Sequence, residues 1–323
     1  MKKLMTLALA AGMLLGAATG AGAIDFKAKG QWLMGFSAGD GSLISHTKAK
    51  GSDHNSARDT DDIFSASQRV RLQLDAVASE ALSGTVFFEI GDQVWGNAES
   101  GGALGADGTV VELKNAYIDW MVPNTDLKFR MGIQGIQLPN VAGGSAVFDD
   151  DVAGVVASYQ FNENVGLTTF WARPYNDNYN TRADRTNYQD NMDLFALMVP
   201  LTFDGVKVTP WVMYAAMGPG MFGDKSYGNA WDRATSGMIS GAFGYDDVDT
   251  YGNAFWAGVT GEVTYWDPFR IAWDVNYGSA SYEDEKMNRE GWLASLLLEY
   301  KLDWGSPGLY GWYGSGDDSN PRN

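Results

Sequence analysis

Polar and apolar positions alternate along most of this chain. Between residues 26 and 36, Phe26, Ala28, Gly30, Trp32, Met34 and Phe36 share one phase. Lys27, Lys29, Gln31 and Gly35 share the other, with Leu33 the exception. Successive side chains of an extended strand point to opposite faces, so this spacing predicts a strand with one apolar face. The pattern returns at Val70, Leu72 and Leu74 against Arg69, Arg71, Gln73 and Asp75. It returns again at Leu127, Phe129, Met131 and Ile133 against Lys128, Arg130, Gly132 and Gln134. A fourth clear case sets Ile271, Trp273, Val275 and Tyr277 against Arg270, Ala272, Asp274 and Asn276.

Further strands are expected over residues 84–90, 112–122, 152–161, 165–172, 192–201, 206–217, 253–265, 292–301 and 308–314. The phase slips near Lys114 and Asn115, as at a bulge. Residues 192–201 are apolar in both phases, which leaves their orientation open. About thirteen strands result. The connections alternate too. Short ones rich in turn formers cover residues 78–83, 123–126, 162–164, 204–205, 266–268 and 303–307. Long polar ones cover residues 37–63, 91–109, 135–151, 173–191, 218–251 and 279–291.

Short turns at one end and long loops at the other are the pattern of an outer-membrane barrel. A secreted β-sandwich also alternates, but two features oppose it. Aromatics stand near strand ends on the apolar phase (Phe26, Phe36, Trp120, Trp273, Trp292 and Trp312), as an interfacial girdle requires. The polar phase carries arginines and lysines in mid-strand, which suits a wet lumen.

Residues 1–23 read as a secretion signal. Lys2 and Lys3 precede an apolar run, and Ala21-Gly22-Ala23 supplies small residues for cleavage. Residues 24–323 form the expected barrel. Removing the signal takes the formal charge from −17 to −19. So acidic a chain is no partner for nucleic acid, whose phosphates need a basic face. There is no cysteine, so no disulfide supports the exported fold. Beyond Ala23 no run of 18 apolar residues occurs, so a membrane span here requires strands.

Several segments resemble the homotrimeric outer-membrane porins of sulfate-reducing bacteria, within the general-porin superfamily. They are Ile24-Asp25-Phe26-Lys27-Ala28-Lys29-Gly30, Gln68-Arg69-Val70-Arg71-Leu72-Gln73-Leu74 and Lys114-Asn115-Ala116-Tyr117-Ile118-Asp119-Trp120. Phe129-Arg130-Met131-Gly132 and Phe170-Trp171-Ala172-Arg173-Pro174-Tyr175 complete the set. The order of these motifs spans essentially the whole mature chain. The resemblance implies a roughly 16-stranded antiparallel transmembrane β-barrel of porin type. It also implies a homotrimer and a third long loop folded into the pore. The chain ends at Pro321-Arg322-Asn323 without the aromatic closing strand of such barrels, so about three strands are expected to be missing.

The expected chemistry is a charge-lined constriction. Lys27, Lys29, Arg69, Arg71, Lys128 and Arg130 share the polar phase of strands one, two and five. Asp149, Asp150 and Asp151 are expected in the third long loop. A basic wall facing an acidic loop polarises a narrow aqueous gap. The implied function is passive diffusion of small hydrophilic solutes and ions, with outer-membrane lipid around the barrel.

Two other classes fit the sequence less well. A hydrolase needs a histidine beside a nucleophile, yet His46 and His54 both fall in the first long loop, and Asp61-Asp62 and Asp246-Asp247 read as loop charge. A non-transport anchor or adhesin would need a filled lumen or a separate module, and no linker or composition break suggests one. No cofactor is expected. Acidic stretches at Asp59 to Asp62, Asp149 to Asp151 and Asp317-Asp318 offer Ca²⁺ oxygen ligands, although solvated loop charge is the simpler reading. His46, Asp53 and His54 have no specific metal-ligand spacing.

Overall fold

A computed structural model describes residues 24–39, 63–105, 111–176, 191–218, 251–283, 285 and 288–316. The expected signal segment lies outside these residues, as do His46, Asp53, His54, Asp59 to Asp62, Asp246-Asp247 and Asp317-Asp318. The chain divides into two compact units, residues 1–116 and 117–323.

The first unit holds β1 (Asp25–Gly39), β2 (Ile63–Ser79) and β3 (Leu82–Val94). β1 pairs antiparallel with β2 in unbroken register, from Asp25 opposite Val77 to Gly39 opposite Ile63. The register sets Trp32 opposite Val70 and Gly30 opposite Leu72 on one face, and Gln31 opposite Arg71 on the other. The period-two reading therefore holds residue by residue. Trp32 on the apolar face is 67% exposed, so among the described residues none covers it. β3 continues past the expected strand end at Ile90. A bulge between Gln68 and Val70 and a positive φ of 28° at Asp92 turn the Asp92 side chain towards Arg69.

β4 (Glu112–Met121) contains the boundary between the units. The second unit continues with β5 (Lys128–Gln137), β6 (Asp149–Gln160), β7 (Gly166–Tyr175), β8 (Met192–Met198), β9 (Leu201–Phe203) and β10 (Val206–Met217). β11 (Gly252–Val263), β12 (Phe269–Tyr282), β13 (Arg289–Tyr300) and β14 (Gly308–Gly314) complete it. The strands pair antiparallel in chain order, with β8 and β9 both against β10. The expected strand over residues 192–201 is thus interrupted rather than lost. Pro200 has no N–H to give the ladder, and the strand resumes at Leu201. Among the described residues β14 pairs with β13 alone, and β1 with β2 alone. The fold is an all-β antiparallel meander, the architecture of a transmembrane barrel wall. No helix among the described residues is long and apolar enough to cross a membrane.

The connection of residues 138–148 between β5 and β6 lies against one face of the second unit. Beneath it sits the main apolar cluster: Ile136 and Leu138 at the loop's base, Phe170, Leu194 and Met198, then Trp211, Met213, Ala215 and Met217. Phe148 and Val147 of the loop pack on the same cluster. This explains why residues 192–201 are apolar in both phases. Leu194, Ala196 and Met198 belong to the buried cluster on which the loop packs, while Phe195 and Leu197 are exposed on the opposite face. On β8 and β10 the loop-facing side is apolar where the loop covers it, which settles the orientation that the sequence pattern left open.

The opposite face carries an aromatic row that strand pairing makes continuous. Trp171 lies opposite Phe195, Phe195 opposite Tyr214, and Tyr214 opposite Phe255. All four are 38–48% exposed. A second aromatic set, Phe203, Tyr265, Trp266 and Phe269, is exposed at the short-turn ends. Phe255 and Tyr265 are ten positions apart. At about 3.3 Å per residue and a strand tilt of about 40°, that separation spans about 25 Å across the sheet, the height of a barrel's lipid-facing band. Trp312 does not belong to this face. Its register, opposite Ser295 and through it Asp274, sets it on the loop side, contrary to the expected girdle.

Because Met213 is fully buried under the loop and Val212 points the other way, truncating each to alanine should have unequal effects. Met213→Ala should lower the unfolding free energy in detergent by about 2–5 kcal/mol, and Val212→Ala by clearly less. Urea unfolding followed by tryptophan fluorescence measures both. Equal losses would contradict the assignment of faces.

Candidate functional site

In the first unit the expected basic residues form a ladder of ion pairs. β1–β2 pairing brings Lys29 Nζ to 3.3 Å from Asp75 Oδ2. Asp75 also accepts hydrogen bonds from Gln73 at 2.7 Å and Thr85 at 2.8 Å. Across β2 and β3, Arg71 Nε donates to Glu89 at 2.6 Å. Arg69 engages Asp92 through Nε at 2.9 Å and Nη2 at 2.5 Å, with Glu89 also 3.8 Å away. Lys27 pairs with Asp25 at the strand's start, at 3.5 Å. A basic wall was expected here. The structure instead gives an alternating strip, because an acid stands within reach of each of these bases on its own or the neighbouring strand.

The second unit differs. Arg130 forms a two-pronged pair with Asp119, Nε to Oδ1 and Nη2 to Oδ2, both at 2.9 Å. Its guanidinium also lies 4.2 Å from the Tyr117 ring centroid, in reach of its π face. Lys128 reaches the same carboxylate at 3.7 Å. Two cations thus share one anion.

Asp149, Asp150 and Asp151 are not in the loop. They are the first residues of β6, opposite Gln137, Ile136 and Gly135. The strand period separates them. Asp150 shares the face of Ile136, whereas Asp149 and Asp151 point to the face of Met131 and Ile133. Asp149 accepts a hydrogen bond from Gln137 at 2.9 Å. Residues 138–148 carry no ionisable side chain. The expected acidic loop is therefore a neutral loop with one acid at its foot on the loop side.

What anchors the loop was not foreseen. The Val141 amide donates to Thr260 Oγ1 at 3.1 Å, and Arg270 Nη2 donates to the Val141 carbonyl at 3.0 Å. Arg270 is itself held by Glu262 at 2.8 Å and Glu299 at 2.5 Å, and Lys207 pairs with Glu262 at 2.9 Å. Gly143 approaches the Tyr310 hydroxyl so closely that an added Cβ would lie 3.0 Å from it. The loop thus reaches across to β11, β12 and β14. Arg270 has the polar phase in the sequence. Its partners in that phase, Glu262 and Glu299, lie on the two flanking strands and were the signal to follow. Asp274 and Asn276, on the polar phase in the sequence, are buried on the face of this anchor, with Asp274 opposite Thr260.

No protein-family model matches the chain, and no curated protein matches it. In fold the chain is similar to bacterial outer-membrane porins. The OmpT outer-membrane protein of Vibrio cholerae, in its trimer form, is 13% identical, with a TM-score of 0.40 over 92% of this chain and 90% of that one. A porin refined at 1.8 Å resolution is 13% identical, with a TM-score of 0.40 over 91% and 95%. OmpF of Salmonella typhi in complex with daunomycin is 11% identical, with a TM-score of 0.38 over 92% of each chain.

Thr260→Val removes the acceptor for the Val141 amide and leaves the shape of the anchor. Hydrogen exchange at Val141 should then quicken about fivefold, the effect of one hydrogen bond of about 1 kcal/mol. Exchange at Val155, within the β5–β6 ladder, should stay unchanged. Mass spectrometry of peptides covering both positions provides the measurement, and an unaltered rate at Val141 would contradict the anchor.

Proposed function

We propose that this protein forms a water-filled channel of the bacterial outer membrane for passive diffusion of small hydrophilic solutes and ions. Loop 138–148 serves as its constriction. The observation that supports this most is the loop's position. It is hydrogen-bonded by Val141 to residues 119 and 129 positions away, on the face opposite the exposed aromatic row. A face bearing aromatics about 25 Å apart suits lipid, and the loop-bearing face then borders water. In this reading Arg69, Arg71, Lys27 and Lys29 line the polar face of the first unit, and Lys128 and Arg130 line that aqueous side in the second. Asp150 is the acid nearest the loop's foot on that side. Assembly as a homotrimer and export through residues 1–23 follow from the motif resemblance and the signal pattern.

A second reading, a barrel without transport, draws on the apolar cluster that fills the loop face of β7 to β10. Planar-bilayer recording of the full-length protein separates the two, since a non-transport barrel gives no solute-limited conductance steps. In the channel reading, replacing Arg71 and Arg130 by alanine removes side-chain volume and two positive charges. Conductance should rise and the anion-to-cation permeability ratio should fall. The shift should grow on dilution, as the Debye length lengthens from about 10 Å at 0.1 M to about 30 Å at 0.01 M. An unchanged reversal potential in a folded double variant would remove these arginines from the constriction.

A further inference from the structure

The two cations that share Asp119 border a recess of about 530 Å³ beside loop 138–148, on the short-turn side of the second unit. Its volume falls in the range of about 300–1,000 Å³ typical of small-molecule sites. We propose that this recess binds a small solute with one carboxylate and an apolar body. The inference deepens the channel reading, naming the class of solute the channel favours, and rests on it for its physiological meaning.

The lining is ordered by strand register. Lys128 lies opposite Ser158, Ser158 opposite Thr168, and Thr168 opposite Met198. One step towards the loop, Arg130 lies opposite Val156, and Val156 opposite Phe170. The recess is therefore polar and cationic towards β5 and apolar towards β7 and β8. The face of Ile136 and the loop residue Pro139 close it on the loop side.

The charge balance selects the ligand. Asp119 is the one acid lining the recess among the described residues, and Lys128 and Arg130 both lean on it. The recess thus carries one net positive charge. Arg130 spends Nε and Nη2 on Asp119, and among the described residues its Nη1 has no hydrogen-bond partner. Among the described residues Lys128 has a single ion pair, at 3.7 Å. Hydroxyls of Ser158, Thr168 and Thr209 add further donors. The surplus is of donors and positive charge, which a cation cannot use. One net charge matches a monoanion, and Phe170, Val156 and Met198 offer its apolar part a dry surface. The nearby cluster of Lys207, Arg270, Glu262 and Glu299 is neutral overall and adds no opposing net charge.

The test is isothermal titration of the full-length protein in zwitterionic detergent at low ionic strength. Its probes are benzoate and benzylammonium, which share a ring and differ in the sign of their charge. Saturable binding of benzoate and none of benzylammonium is expected. Lys128→Gln should weaken benzoate about threefold, and Asp119→Asn should strengthen it by a similar factor, as the exposure of these groups allows. A merely structural role for the trio would move both variants in the same direction. Absence of saturable benzoate binding, equal binding of both probes, or weakening by both substitutions would overturn the proposal. Bilayer recording on the same preparation keeps the two readings apart. Conductance without benzoate binding removes the site and leaves the channel, whereas binding without conductance does the reverse.

Discussion

The two backbone hydrogen bonds at Val141 organise the second unit. A connecting segment that leaves water must find partners for its N–H and C=O groups, and an unpartnered buried amide costs on the order of 1–3 kcal/mol. Thr260 and Arg270 provide both partners at one residue. With its tip fixed, the loop can lay Leu138, Val147 and Phe148 on the wall, and the wall can carry Leu194, Met213 and Met217 on the same side. Without that cover these side chains would be apolar surface facing solvent. The charge cluster behind Arg270 has the same logic: its two glutamates hold the guanidinium where the carbonyl of Val141 needs it.

The same dependence explains what could be read in advance. Where one face of a strand is apolar and the other polar, as in β1 and β2, alternation alone assigned every side chain from Phe26 to Phe36 and from Arg69 to Asp75. Lys27, Lys29, Arg69, Arg71, Lys128 and Arg130 accordingly share the polar faces expected of them. The reading failed where a distant segment changed the environment of a face. Met192 to Met198 is apolar in both phases because the loop supplies a second apolar surface, which no local pattern encodes. Asp149 to Asp151 looked like loop charge because three consecutive acids rarely continue a strand. They pair with Gln137, Ile136 and Gly135 at the loop's foot, where one strand face is open to solvent. Trp312 was misassigned because a short aromatic-rich strand leaves its phase undetermined until its partner is known.

Charge is distributed unevenly between the units, and this matters more than the number of basic residues. Around β2 each base has an acid within reach, so the strip polarises its surroundings without favouring either sign. Around β5, two bases share one acid and a local positive excess remains on a protein whose formal charge is −17. A strongly acidic chain with a cationic recess would draw cations towards much of its surface and hold an anion at the recess. Exposed pairs of this kind contribute little to stability, about 0–1 kcal/mol each.

The tip of loop 138–148 rests on β11 and β12 rather than in solvent. The chain contains no cysteine, so a pair introduced as Val141→Cys and Thr260→Cys reports on this contact alone. The Val141 amide nitrogen and Thr260 Oγ1 are 3.1 Å apart, which brings the two positions within reach of a disulfide. Mild oxidation of the folded, membrane-inserted double variant should give near-complete cross-linking, read by mass spectrometry of the digested protein. Pairing Val141→Cys with Val259→Cys, whose side chain points to the opposite face, should give none. Failure of the first pair to cross-link, or equal cross-linking of both, would contradict the account.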